Sequence, residues 1–197
     1  VCGNGVKEPG EECDGAAAAG QKCTPACALV YTTKINEIWY DPPGTDGATS
    51  PCFIELRGDP GLDLTTYSLK FTRGSDGTEY VPPFKLDTFT IGSGGYFVVL
   101  RLASDLAALP AGANGVLSSK SDMQNGPNNL LLLKDATVID AIGYGTFNGN
   151  FQGEGSAAID PTNSAQTVCR LPDGADTNDN ATDFALCTPT QGAPNMP

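Results

Sequence analysis

Seven short segments, none longer than eight residues, are apolar or alternate between apolar and polar along most of this chain. They are KINEIWY (34–40), CFIELRG (52–58), YSLKFTRG (67–74), GYFVVLRL (95–102), NLLLLKD (129–135), TVIDAIGY (137–144) and QTVCRL (166–171). Segments of this length with period-2 alternation are strands, and 24 Gly and 15 Pro supply the turns between them. The fold class that follows is an all-β sandwich. In CFIELRG the alternation puts Cys52, Ile54 and Leu56 on one face and Phe53, Glu55 and Arg57 on the other. GYFVVLRL and NLLLLKD are apolar on both faces, as strands covered on both sides are. Asp76-Gly77, Gly94-Gly95 and the centre of LKDATVID read as hairpin turns. SDLAALPAG reads as the one short helix, with Ser104 as N-cap and Pro110 near its end.

The cysteines divide the chain. Cys2, Cys13, Cys23 and Cys27 fall in a stretch poor in core residues, and the composition changes near Leu29. This sets a cysteine-rich cap at 1–28 before a β domain at 29–197, with no linker between them. The run Ala16 to Ala19 is too short for an independent helix and fills an inter-cysteine loop. Four thiolates could bind zinc, but the spacing C-x10-C-x9-C-x3-C lacks the paired C-x2-C knuckles of zinc ribbons. Two disulfides are the better reading, in any of three connectivities. They would hold together a cap too small to bury a core. Cys169 and Cys187 bracket a polar, turn-rich loop that a bridge would close, which leaves Cys52 as a buried thiol. The alternative uses Cys52 across the sandwich or between subunits. Seven cysteines suit an oxidising compartment, so the expected location is extracellular or at the cell surface. Val1 reads as the start of a mature or trimmed chain.

A net charge of −12 repels nucleic acid and anionic lipid, and no run reaches the roughly 18 apolar residues of a membrane span. Neither nucleic acid nor direct membrane insertion is expected. The chain contains no histidine, which removes Ser-His and Cys-His pairs and histidine zinc sites. An S-x-x-K motif fails because Leu117 lies three residues before Lys120. No catalytic residues are assigned. Calcium requires several oxygen ligands from flexible loops. Two groups have that composition: Asn4, Glu8, Glu11, Glu12 and Asp14 in the cap, and Asp173, Asp176, Asn178, Asp179, Asn180 and Asp183 in the late loop. Neither follows EF-hand spacing, and Asp and Asn equally serve as turn residues. Asn180-Ala181-Thr182 is a glycosylation sequon. Trp39, Tyr40 and Tyr144 would suit a glycan-stacking platform, although core packing is the stronger reading for Trp39.

Six segments in order carry a family likeness: INEIWYDPPGTD (35–46), FIELRG (53–58), DLTTYSL (63–69), QNGPNNLLLL (124–133), VIDAIGYG (138–145) and DNATDF…PTQGAPN (179–195). Together they resemble the lamin-tail domain of bacterial extracellular proteins. The resemblance implies an immunoglobulin-like β-sandwich that binds, tethers or assembles without a catalytic centre. CGNGVKEPGEECDG followed by CTPAC resembles a cysteine-rich repeat of myxobacterial surface proteins, with AAAAGQ in place of that repeat's polar loop. The expected function is a non-enzymatic surface module recognising protein or glycan. Self-association into a filament or coat and calcium-dependent adhesion are the alternatives.

Overall fold

The computed structural model describes residues 1–44 and 49–197. The last two residues of INEIWYDPPGTD lie outside the described residues. The chain runs β1 (Gln21–Cys23), β2 (Leu29–Tyr31), β3 (Lys34–Trp39), β4 (Phe53–Arg57), β5 (Tyr67–Arg73), β6 (Glu79–Lys85), β7 (Tyr96–Leu100), α1 (Ala103–Ala108), β8 (Ala113–Leu117), β9 (Asn128–Lys134), β10 (Thr137–Tyr144), β11 (Thr167–Arg170), α2 (Asn180–Asp183) and β12 (Phe184–Cys187). All seven expected segments form strands. The other five had weaker signals: β1 and β2 are three residues long, β8 and β12 lie at sheet edges, and β6 contains Pro82 and Pro83. A proline cannot donate to a ladder, and β6 accordingly occupies the edge of its sheet with an irregular register.

Two sheets face each other. One has the order β12-β11-β3-β4-β7-β8 and the other β10-β9-β5-β6, with every pairing antiparallel except β7–β8. Ile35, Ile54, Leu56, Phe97, Val99 and Val168 from the first sheet meet Leu69, Phe71, Leu130, Leu132, Ile142 and Tyr144 from the second in one core. Each such side chain contributes about 1.5–3 kcal/mol through burial. The fold is thus the expected all-β sandwich with a disulfide-rich cap.

Alternation along β4 holds as read. Ile54 and Leu56 enter the core, while Phe53 joins Val98 and Leu100 on the outer face beneath Leu106 and Leu109 at α1. This second cluster explains why β7 is apolar on both faces. Trp39 belongs to it, edge-on to Phe53 at 6.3 Å, with its indole N–H donating to the Ser164 carbonyl. Tyr40 and Tyr144 stack at 4.2 Å inside the protein and are almost fully buried, so neither forms part of an exposed glycan platform.

Two local expectations are corrected. Gly94-Gly95 does not close a hairpin, because β6 and β7 belong to different sheets; the turn instead leads the chain across the sandwich, with the Gly94 amide bonded to the Gly112 carbonyl. Ser104 lies inside α1 rather than at its N-cap, which is Leu102. The hairpin at LKDATVID is present, with Asp135 and Ala136 both at positive φ.

The cap contains the disulfides Cys2–Cys27 and Cys13–Cys23, with Cα separations of 5.4 and 5.8 Å. β1 pairs with β2, so the cap's hydrogen bonding extends to Tyr31, beyond the expected boundary at residue 28. Gly20, at φ +78°, lies against Tyr67 and Leu62 of the sandwich, where a Cβ would be 2.8 Å from the tyrosine oxygen. The third disulfide, Cys169–Cys187 with a Cα separation of 6.0 Å, ties β11 to β12. Cys52 lies outside the three disulfides, buried, with its thiol 3.8 Å from both the Tyr40 carbonyl and Asp122 Oδ1.

Candidate functional site

At one end of the core, period-2 alternation turns a charge inward. Val168 and Arg170 share the core-facing side of β11, and Arg170 is fully buried with its guanidinium 4.5 Å from the Phe184 ring centroid. On the opposite sheet, Asp140 shares its face of β10 with Ile142 and is also buried. Arg170 Nη2 donates to Asp140 Oδ1 at 2.7 Å, which bridges the two sheets through the core. The other Asp140 oxygen accepts the Ile35 amide at 2.6 Å, just before the bulge that separates Ile35 from Glu37 in the β3–β4 register.

The rest of the guanidinium is also satisfied. Nε donates to the Ile35 carbonyl at 2.9 Å, and Nη1 donates to the Ala175 carbonyl at 2.7 Å and to Asp183 Oδ2 at 3.0 Å. Glu154 Oε2 lies 3.6 Å from Nη2 and Asp176 Oδ1 lies 3.7 Å from Nη1. Lys34, the first residue of β3, donates from Nζ to Asp176 Oδ2. Asp140, Asp176, Asp183 and Glu154 therefore surround two cations.

Electrostatics separates these carboxyls. Burial, followed by the neighbouring charges of Asp140 and Asp176, pushes Glu154 up to about 7. Burial also raises Asp140 against the opposing pull of Arg170. At Asp176 burial works in the same direction, but the hydrogen bond and charge of Lys34 prevail and hold its carboxyl below the usual range. Glu154 Oε2 is buried without a hydrogen-bond partner.

Ligand oxygens of Asp140, Glu154 and Asp176 lie within 4.8 Å of one another, the one such acidic group among the described residues. Arg170 and Lys34 already supply positive charge to this group, so the donor set fits an internal ion network better than a bare cation.

Of the network, Lys34 and Asp176 line a cleft of about 640 Å³ between cap and sandwich. One wall is Lys22 with β2, and the other is Val138 and Ile139 of β10. Val30 and Val138 remain 41% and 48% exposed, so this is uncovered apolar surface beside buried charge.

The late-loop residues are distributed among separate tasks. Asp173 accepts from the Tyr96 hydroxyl and the Asn195 amide, and the Asn178 amide donates to Asp176 Oδ1 at 3.1 Å. Asp179 accepts the Ser156 amide, and Asp183 accepts from Arg170 and Thr177. Asn180 is fully buried: its amide nitrogen donates to the Ala141 carbonyl, and its oxygen accepts the Gly143 and Glu154 amides. The sequon asparagine is thus a structural clamp inaccessible to a glycan.

In the cap, Asp14 accepts the Gly3 and Asn4 amides, and Glu12 accepts the Leu29 amide at 2.7 Å. Glu8 and Glu11 face the Val1 amine, and Asn4 donates to Glu8 at 2.7 Å. Sequence reading missed Arg170, Lys34, Asp140 and Glu154. Two signals were present in the residues, because Asp140 and Arg170 each place a charge on the apolar face of an alternating strand.

No family model matches the chain, and no curated protein or solved structure matches it either. The lamin-tail likeness therefore rests on the six segments themselves.

Proposed function

We propose that this chain is a non-enzymatic binding or tethering module of an extracellular or cell-surface protein, with the cap–sandwich cleft as its recognition surface. The observation that carries this reading is the cleft itself, with exposed Val30 and Val138 on opposite walls above the Lys34–Asp176 contact. A mixed lining, with Val30, Val138 and Ile139 beside Lys22, Lys34, Asp176 and Asn178, favours a segment of protein or glycan over an ion. Three disulfides suit an oxidising environment. No described helix is long and apolar enough to cross a membrane.

The test is binding of purified chain to glycan arrays and to isolated cell-envelope material, compared with the double variant V30D/V138D. The variant should bind at least about tenfold more weakly, a change of about 1.4 kcal/mol, with an unchanged melting temperature. Equal binding by both chains would overturn the assignment of the cleft. Self-assembly is the second reading, because β8 ends its sheet with its outer edge unpaired among the described residues and Leu117 44% exposed. Size-exclusion chromatography showing a monomer at high concentration would dispose of it.

A further inference from the structure

We propose that Lys34 and Asp176 become covalently joined by an amide between Nζ and Cγ, formed within the folded protein without any external reagent. The two side chains are in direct contact, and both are largely withdrawn from water, with 11% and 15% of their side-chain surfaces exposed. They lie 142 residues apart in the chain, so only the fold brings them together.

Each part of an intramolecular acyl transfer is present. Lys34 Nζ is the nucleophile and Asp176 Cγ the electrophile. The charge of Lys34 favours the ionised Asp176, so the reactive neutral amine and carboxylic acid are the minor form, reached by proton transfer within the contact pair. Attack by Nζ forms the C–N bond and places negative charge on Asp176 Oδ1. That oxygen already accepts the Asn178 amide at 3.1 Å and lies 3.7 Å from Arg170 Nη1, so donors stand where the charge develops.

Glu154 completes the arrangement. Its ligand oxygen lies within 4.8 Å of that of Asp176, and its Oε2 is buried without a hydrogen-bond partner. It takes the proton released by Nζ and delivers one to Oδ2, which leaves as water. One N–H and one C–O bond are lost, and one C–N and one O–H bond are gained. No oxidation is involved, and Glu154 ends in its starting state. Its carboxyl, raised to about 7, can exchange a proton in the neutral range. Effective molarities of about 10⁵–10⁸ M for well-oriented pairs lower the barrier to attack far below that between free groups in water.

The bond would fasten the start of β3 to the loop that Cys169–Cys187 closes. Intact mass spectrometry of the purified chain tests it. The expected mass is lower by one water than that of the sequence with its three disulfides, and digestion should yield a branched peptide containing Lys34 and Asp176. Lys34→Arg and Glu154→Gln should retain the water while keeping a native circular dichroism spectrum. A native chain of full mass whose Lys34 is recovered as an unmodified side chain overturns the proposal. So does a lost water that maps to an Asp-Gly succinimide, such as Asp76-Gly77, instead of a branched peptide. Water loss that persists in Glu154→Gln removes Glu154 from the mechanism.

Discussion

Glu37 and Glu55 stand opposite each other on β3 and β4, both fully buried, beneath the C-terminal segment that donates to each. Thr190 donates to Glu37 from its amide at 3.2 Å and its hydroxyl at 2.9 Å, and the Gly192 amide donates to Glu55 at 2.6 Å. Asn36 binds the other Glu55 oxygen at 2.8 Å, and Thr167 donates to Glu37. The carboxyls act as acceptors that secure a strap over the outer face of the sheet. Two adjacent negative charges there would be costly.

Stability should therefore fall as pH rises. Burial pushes Glu37 from 4.5 up to about 7 and drives Glu55 well above the carboxylate range. The folded state holds protons that the unfolded chain releases above about 4.5, so the stabilisation is complete below that pH and is lost as pH climbs through about 7. Glu37 alone accounts for a change on the order of 3 kcal/mol. Urea midpoints measured from pH 4 to 8 should decline, and Glu37→Gln should flatten part of that slope while keeping the bonds to Thr167 and Thr190. A midpoint that rises across this window contradicts the arrangement.

Arg170 is predicted to be among the least replaceable side chains. Removing it leaves Asp140 and Asp183 buried without their cation, at a cost of about 3–5 kcal/mol. Arg170→Lys should recover little, because a single ammonium cannot serve the Ile35 carbonyl, Ala175 carbonyl, Asp140 and Asp183 at once. Chemical denaturation of Arg170→Lys and Arg170→Met checks this. A loss smaller than about 1 kcal/mol in both would show that the network contributes little to stability.

The contrast between these two sites and the strands shows what the sequence makes legible. Alternation in CFIELRG gives the facing of Ile54, Leu56 and Phe53 because strand geometry is local. The pairing of Asp140 with Arg170, or of Lys34 with Asp176, depends on how two sheets and a late loop close on each other. In the sequence, the acids of residues 173–183 read as turn or metal residues, and their partners enter only through long-range packing. β6 escaped detection because Pro82 and Pro83 suppress a strand reading, and only the sheet edge tolerates them. The Gly94-Gly95 turn was misread because a local turn signal does not say which sheet the next strand joins.

Ala136→Gly should stabilise the protein. The β9–β10 hairpin closes with Asp135 at φ 48° and Ala136 at φ 66°, and Thr137 pairs with Lys134 directly beyond them. A two-residue turn with both φ values positive matches strand twist but strains a residue with a Cβ by about 1–2 kcal/mol. Glycine relieves that strain, and its added freedom in the unfolded chain returns part of the gain. The net expectation is a gain of about 0.5–1 kcal/mol in denaturant unfolding. Asp135→Gly should gain less, because Asp tolerates the left-handed region better than Ala.

Gly20→Ala should loosen the cap while leaving the sandwich intact. At φ +78° the added Cβ is strained in itself, and it would lie 2.8 Å from Tyr67 Oη and 3.0 Å from Leu62 Cδ2. Those two side chains belong to the sandwich core, where neighbouring packing leaves them little room to yield. The cap, held internally by Cys2–Cys27 and Cys13–Cys23, has the greater freedom to move away. Hydrogen exchange should therefore accelerate at Thr32, whose amide bonds the Gly20 carbonyl, and along the β1–β2 ladder. Amides of β5 and β9 should exchange as in the parent chain. Uniform acceleration across both sheets would mean that cap and sandwich unfold as one cooperative unit.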